Sequence, residues 1–187
     1  MMPEGLPGMH VRQMHLDEGD RHRHEGVAQG DTGVGIRRRI DDDGAHALFA
    51  GSMDALDQGT FMIALERFEL DWIEEPLRAD RPWSDWQALR DASRTPLAAG
   101  ENVAGEAAFE ALIAARALGV VQPDIAKWGG ISGTWPVVRR VREAGLRYCP
   151  HFLGAGVGLL HSAHLLAAAG GDGMLEIDAN PNPLRSL

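Results

Sequence analysis

The sequence predicts an α/β fold built as a partial (β/α) barrel, preceded by an irregular segment. From about Thr60 onward, short apolar stretches alternate with longer amphipathic stretches, which is typical of βαβ units around a parallel sheet. A polar residue follows each short apolar stretch. The chain has 187 residues, whereas a closed eight-stranded barrel needs about 250, so we expect only part of a barrel.

The first 54 residues form the predicted irregular or disordered segment (1–54), and residues 55–187 form the predicted barrel domain. Residues 1–47 contain few apolar positions in any period, and a basic run at Arg37–Arg39 precedes an acidic run at Asp41–Asp43. Such a composition lacks the apolar stripe that a helix or strand needs for packing. We therefore expect loop or weakly helical structure there.

Amphipathic or alanine-rich stretches predict five helices after residue 60. Pro82 lies at the start of the second helix, where a missing N–H costs little, and Gly119 and Gly145 close the third and fourth. The first repeats apolar residues three and four positions apart, as one buried helix face requires. The predicted helices are Phe61–Phe68, Trp83–Ala92, Glu106–Leu118, Thr134–Ala144 and Gly158–Ala169.

The short apolar stretches between these helices predict strands, because they are bounded by Gly or Pro. The predicted strands are Asp71–Glu74, Leu97–Ala99, Val120–Pro123, Leu146–Cys149 and Met174–Ile177. Active sites of parallel barrels lie at the carboxyl ends of the strands. Polar residues recur at these ends, and five in register predict a site: Glu74, Glu101, Asp124, His151 and Glu176.

Glu74 and Glu101 end successive strands, so both can reach one hard cation. Carboxylate oxygens suit Mg²⁺, which keeps some water and accepts substrate oxygens. The formal net charge is −9, from 18 Lys and Arg against 27 Asp and Glu, so a small anionic substrate needs a local cationic centre such as a metal. Taken singly, either glutamate is equally compatible with an exposed loop acid.

Asp124 and His151 end the next two strands. A carboxylate that accepts from an imidazole N–H fixes the tautomer and raises the basicity of the other nitrogen. Such a pair can remove a proton from carbon beside a carboxylate, and a divalent ion stabilises the resulting dianion. Taken alone, His151 is better explained as a partly buried histidine with satisfied hydrogen bonds.

Successive motifs occur at Trp72–Pro76, Gly100–Asn102, Pro123–Gly130, Pro150–Phe152, His161–Ala168 and Asp178–Arg185. Their order and spacing resemble those of the mandelate racemase and muconate-lactonizing branch of the enolase superfamily, over roughly residues 55–187. The resemblance implies a partial (β/α) barrel of about strands three or four to eight with Mg²⁺ as cofactor, nearest to mandelate racemase and the acid-sugar dehydratases.

The resemblance also implies roles for single residues. Glu74 and Glu101 match metal ligands, Asp124 and His151 match the acid–base dyad, and Glu176 matches an acid that binds the substrate carboxylate. In the lactonizing enzymes a lysine base stands at the position of Asp124, so its absence here favours the dehydratase group. Lys127, the only lysine in the chain, matches a second lysine three residues later, which supports the site.

Three features of the family differ in this sequence. The third-strand ligand position falls on Gly51, so Asp54 is the possible substitute as a metal ligand. A basic Lys-x-Lys pair cannot exist where Lys127 is the only lysine, and Arg21–His24 is better explained as a solvated stretch. We expect no capping domain before the barrel. These differences predict a truncated chain, and they count against its activity.

The resemblance implies Mg²⁺-dependent abstraction of the proton α to a carboxylate, with dehydration of an acid sugar by a lyase as the expected reaction. One alternative is a non-catalytic, truncated remnant of such a barrel. The other is an isomerase, a racemase or epimerase of 2-hydroxy acids, which is disfavoured because the opposite-face lysine is missing. The expected partner is a small carboxylate substrate.

The composition narrows the partners and the compartment. Net negative charge argues against nucleic acid or an anionic membrane. A single cysteine, Cys149, excludes an intrachain disulfide and fits the cytoplasm. No apolar run is long enough to span a bilayer, and Met1–Gly5 lacks the regions of a signal peptide. Open barrel edges predict homo-oligomers or aggregation.

Overall fold

The computed structural model describes residues 10–14, 36–38, 47–50, 62–63, 65–154, 156–178 and 182–183. Its strands are β1 His10–Met14, β2 Ile36–Arg38, β3 Ala47–Ala50, β4 Trp72–Glu74, β5 Leu97–Ala99, β6 Val120–Val121, β7 Arg147–Tyr148 and β8 Met174–Asp178. Its α-helices are α1 Trp83–Ala92, α2 Glu106–Ala115, α3 Gly130–Glu143 and α4 Val157–Ala169, and a 3-10 turn spans Glu66–Phe68.

The described strands form two hydrogen-bonded sheets. The larger has the order β2-β3-β4-β5-β6-β7, in which β2 is antiparallel to β3 and all other neighbours are parallel. The smaller pairs β1 with β8 in parallel. The end of β7 lies beside β8, since the Met174 N–H donates to Cys149 Sγ at 3.4 Å. The predicted α/β class with a parallel sheet is therefore confirmed.

Alternate strand residues face two different apolar clusters, as the period of two in a strand requires. One face packs on the helices, where Ile73, Val121 and Tyr148 join helix residues such as Phe109 and Val137. The other face carries a smaller buried set, which we call the floor cluster: Trp72, Ala98, Val120, Cys149 and Met174. The next residues on this face, two positions after those of the floor cluster, lie toward the carboxyl ends of the strands.

Helix bounds follow the sequence patterns closely, with differences of three or four residues at two ends and of one residue at two others. Helix α1 occupies its predicted range. Helix α2 ends at Ala115, before the predicted Leu118, because Arg116 adopts a left-handed φ of 51° and its N–H donates to the Ile113 carbonyl. Helix α3 begins at Gly130, one turn before the predicted Thr134. Among the described residues, no helix is long and apolar enough to cross a membrane.

Strands β1, β2 and β3 lie within residues 1–54, where the composition predicts irregular structure. At these strands the structure differs from the prediction. Each pairs with another strand, β1 with β8 and β3 with both β2 and β4. Strand formation depends on its ladder partners more than on local composition, which explains the difference. The boundary between residues 54 and 55 stays a prediction.

Candidate active site

Five polar side chains meet at the carboxyl ends of β4 to β8. Three of them are almost fully buried, with exposed fractions of 8% for Glu74, 7% for Asp124 and 4% for His151. Four of the five come at or just after the end of a strand, as the sequence predicts, while Glu176 lies within β8, two residues before its end. The structure therefore brings together all the predicted strand-end residues: Glu74, Glu101, Asp124, His151 and Glu176.

His151 lies at the centre of this group. Its Nδ1 is 2.8 Å from Asp124 Oδ2, and its Nε2 is 2.7 Å from Glu101 Oε2 and 3.8 Å from Glu176 Oε2. The other oxygen of Asp124 accepts from the backbone N–H groups of Ala126, at 2.7 Å, and Lys127, at 3.1 Å. Asp124 is thus fixed by the turn after β6 and in turn fixes the imidazole ring.

Neighbouring carboxylates favour the charged form of His151. Burial alone would lower its pKa, but the hydrogen bonds to Asp124 and Glu101 and the charge of Glu176 outweigh burial and raise the pKa to about 10. Burial would raise the pKa of Asp124, but the hydrogen bond with His151 and the two backbone N–H groups lower it. In the arrangement described, His151 and Asp124 form an ion pair.

Glu101 takes part in a network that extends to the exposed rim of the site. Its Oε1 accepts from Lys127 Nζ at 3.0 Å and from Asn102 Nδ2 at 3.1 Å. Burial would raise the pKa of Glu101, but His151 and Lys127 outweigh it and lower the pKa to about 2. Asn102 Nδ2 also donates to Glu75, whose pKa burial and the Glu101 charge raise to about 7.

Glu74 and Glu176 are two further acids of the site with raised pKa values. Gln122 Nε2 donates to Glu74 Oε2 at 2.8 Å, and Trp72 Nε1 donates to the same oxygen at 3.5 Å. Burial raises the pKa of Glu74, outweighing these donors. Burial and the charge of Glu74 raise the pKa of Glu176 to about 7, although the Phe152 N–H donates to Glu176 Oε2 at 3.0 Å.

The acids of the site fit a hard cation by donor type and charge. The charge of Glu101 raises the pKa of both Glu74 and Glu176, so the three carboxylates are close enough to repel each other. A divalent cation would relieve that repulsion, and carboxylate oxygens are the ligands that Mg²⁺ prefers. Among the described residues, however, no group of three His, Cys, Asp or Glu side chains forms a ready metal site. Asp54, the third predicted ligand, lies outside the described residues.

Sequence reasoning missed three residues of the network: Glu75, Asn102 and Gln122. Lys127, by contrast, was predicted as a supporting residue and contacts Glu101. Gln122 could have been found from the period of two, because it precedes Asp124 by two positions in a buried strand end. The contacts of Glu75 and Asn102 depend on the turn after β5, for which the sequence offers no comparable pattern. Arg21–His24 lies outside the described residues.

A model of the family described as enolase C-terminal domain-like matches residues 35–186. The chain is 56% identical to a mandelate racemase/muconate lactonizing enzyme from Bordetella bronchiseptica RB50, with a TM-score of 0.72 over 75% of this chain and 40% of that one. It is 32% identical to L-talarate dehydratase from Polaromonas sp. JS666, solved with Mg and L-glucarate, with a TM-score of 0.62 over 70% of this chain and 35% of that one.

A curated relative is similar over a shorter stretch. L-talarate/galactarate dehydratase from Salmonella typhimurium is 39% identical over 88 residues, which is 47% of this chain and 22% of that protein. Matches to the first curated relatives span 22–40% of their lengths. This partial coverage of longer barrel proteins, together with the parallel sheet, confirms the predicted α/β partial barrel.

Proposed function

The chain belongs to the enolase C-terminal domain-like family, and from that premise we propose that it removes the proton α to a carboxylate with the help of Mg²⁺. Dehydration of an acid sugar is the net reaction that we propose. One observation carries the proposal: His151 holds Asp124 at one ring nitrogen and faces a cluster of buried acids with the other.

The dyad would act as base and then as acid. Asp124 keeps the proton on Nδ1, at 2.8 Å, so His151 exchanges protons with the substrate through Nε2. In the first step Nε2 takes the proton from the α-carbon, and the electron pair delocalises onto the substrate carboxylate. In the second step the bond from the β-carbon to its hydroxyl oxygen breaks, Nε2 returns the proton to that oxygen, and water leaves.

Glu74 and Glu101 are the residues that would hold Mg²⁺. The ion would supply positive charge to stabilise the dianion that forms on the substrate carboxylate. Glu101 Oε2 lies 2.7 Å from His151 Nε2, so His151 can act as a base only when Glu101 gives up this contact.

Glu176 would bind the substrate carboxylate. A carboxylic acid can donate a hydrogen bond to a carboxylate oxygen only while it is protonated, and ordinary glutamates are ionised at neutral pH. The pKa of Glu176 is raised to about 7 by burial and the charge of Glu74. A substantial protonated fraction therefore exists near neutral pH, which supports this role.

A second function, a non-catalytic domain, is favoured by a specific feature of the same site. His151 is held between Asp124 and Glu101, and its pKa is raised to about 10. A histidine that is charged at neutral pH stabilises a cluster of acids but cannot accept a proton. Under this alternative the site is a buried ion-pair network, and neither Mg²⁺ nor an acid sugar binds to it.

Turnover of acid sugars tests the first proposal against the second. The full chain is assayed with Mg²⁺ against a panel of acid sugars, together with His151→Asn and His164→Asn. His164 is an exposed histidine on α4 and serves as the control. Turnover should fall on the order of 10³-fold in His151→Asn and stay unchanged in His164→Asn.

Two outcomes oppose the proposal. Equal turnover by the wild type and His151→Asn would refute the assigned base. No turnover by the wild type, together with no Mg²⁺ affinity at millimolar concentration in calorimetry, would support the non-catalytic domain. Both measurements are needed, because turnover is absent when the panel lacks the right sugar, whereas Mg²⁺ binding does not depend on the sugars tested.

A further inference from the structure

We propose that Gln122 is a positioning residue that reaches across β5 and orients the Glu74 carboxylate toward the centre of the site. The cation that Glu74 would hold belongs to the proposed function, and to that extent the inference rests on it. The orientation of Glu74 by Gln122 is a separate claim about two residues of this chain. It is therefore tested both with and without metal.

The contact between these residues spans three strands. Glu74 ends β4 and Gln122 follows β6, while β5 lies between those strands in the sheet. Even so, Gln122 Nε2 donates to Glu74 Oε2 at 2.8 Å, and the exposed fractions of the two residues are only 4% and 8%. A buried side-chain hydrogen bond across an intervening strand requires that the intervening strand places no side chain in its path.

Gly100, which follows β5, meets that requirement. A Cβ at this position would lie 2.8 Å from the backbone nitrogen of Gln122, closer than real Cβ atoms approach, and 3.0 Å from its carbonyl carbon. Its φ of 142° also lies where side chains are rarely tolerated. The backbone at Gln122 is held in this position by its N–H, which donates to the Ala99 carbonyl at 2.9 Å.

The hydrogen bond leaves the charge of Glu74 available. An amide satisfies a carboxylate oxygen without neutralising it, whereas the Lys127 ammonium forms an ion pair with Glu101. Gln122 and Trp72 both donate to Oε2 of Glu74, and neither donates to Oε1. Partners of this kind fix the orientation of metal-binding side chains in proteins, so Oε1 would be the oxygen that faces a cation.

A glutamine on the outer surface of the fold provides a matched control. Gln87 on α1 donates through Nε2 to the Ala115 carbonyl, also at 2.8 Å. Its acceptor is a helix end rather than an acid of the site. Replacement of Gln87 by leucine therefore removes a hydrogen bond of the same length and with the same donor group, without any contact with Glu74.

Calorimetric titration with Mg²⁺ gives the first test, on the wild type, Gln122→Leu and Gln87→Leu. Mg²⁺ affinity should fall about 10-fold to 100-fold in Gln122→Leu, the range found when groups that orient metal ligands are removed. Gln87→Leu should stay within about twofold of the wild type, by the independence of distant sites. Equal Mg²⁺ affinity of Gln122→Leu and the wild type would overturn the proposal.

Urea unfolding in EDTA gives the second test, which needs no metal. A double-mutant cycle combines Gln122→Leu with Glu74→Leu, which removes the acceptor oxygens of Glu74. In the presence of Glu74, Gln122→Leu should raise the unfolding constant about tenfold, because a buried carboxylate loses its partner. In the Glu74→Leu background the same change should have an effect below about threefold.

An equal effect of Gln122→Leu in both backgrounds would show that Gln122 does not act through Glu74, and would overturn the proposal. Coupling in the cycle without any Mg²⁺ affinity of the wild type would support the orientation of Glu74 and refute the proposed function. The two ideas can therefore fail separately.

Discussion

The floor cluster and the candidate site occupy the same strands two residues apart, yet they differ in every physical property that matters for function. The floor cluster is apolar and buried, with every member exposed by 6% or less. The site is nearly as buried but carries charge. The difference can be followed along single strands, from floor residue to site residue: Trp72 to Glu74, Val120 to Gln122, Cys149 to His151 and Met174 to Glu176.

The residues that stabilise the fold and the residues of the candidate site thus lie two positions apart along the same strands. Burial of apolar side chains stabilises the floor cluster, since it removes apolar surface from water. Burial raises the pKa of Glu74 and Glu176, so their ionised forms are destabilised in the fold. Such a site persists because the floor and the helix-packed core offset that cost, and its substitution can raise stability while removing function.

Of the substitutions that test this comparison, Met174→Ala in the floor cluster should have the largest effect on the free energy of unfolding. Met174 is 6% exposed, and its truncation leaves a cavity beneath the site. We expect the free energy of unfolding to fall by about 2–5 kcal/mol, measured by urea unfolding in EDTA. Mg²⁺ affinity of the remaining folded protein should fall less than in Gln122→Leu, since Met174 carries no hydrogen-bonding or charged side-chain group into the site.

Leu160→Ala is the control for this change, because Leu160 on α4 is 60% exposed. Its effect should stay within about 0.5 kcal/mol, as at other surface positions. A loss below 1 kcal/mol in Met174→Ala, similar to that of the control, would show that the floor cluster does not carry the stability assigned to it.

The sequence was sufficient to predict where the strands end and insufficient to predict which strand-end side chains contact each other. The strand ends could be predicted because a short apolar stretch must stop where Glu74 or Asp124 begins, and helix α1 because Pro82 marks its start. Which strand-end side chains contact each other depends on the register between strands, such as Glu74 opposite Ala98. The bond from Gln122 to Glu74 crosses an intermediate strand, and no local pattern contains that information.

Glu176→Gln should raise stability at alkaline pH, which is the opposite of the effect at Met174. The pKa of Glu176 is raised from 4.5 to about 7, chiefly by burial. A raised pKa in the fold contributes stability that is present below pH 4.5 and is lost as the pH rises through about 7. Glutamine cannot ionise, so the variant should gain on the order of 2 kcal/mol over the wild type between pH 4 and 8.

Urea unfolding in EDTA at both pH values measures this gain. The stability of the variant should still decline over part of this pH range, because the pKa of Glu75 is also raised to about 7. A difference between Glu176→Gln and the wild type that is the same at pH 4 and pH 8 would contradict the raised pKa. Acid-sugar turnover should fall less in the variant than in His151→Asn, because the glutamine amide can still donate a hydrogen bond to the substrate carboxylate.

Asn102→Ala should have the smallest effect, because Asn102 belongs to the exposed rim above the site. Its amide joins Glu75 to Glu101 at distances of 2.8 to 3.1 Å, but water can replace an exposed hydrogen bond at little cost. Stability should therefore change by less than about 1 kcal/mol. Lys127 also holds Glu101 Oε1, so Mg²⁺ affinity should fall only about threefold to fivefold, less than in Gln122→Leu. A loss of Mg²⁺ affinity equal to that of Gln122→Leu would mean that the rim, rather than the buried end of β4, orients the ligands of the site.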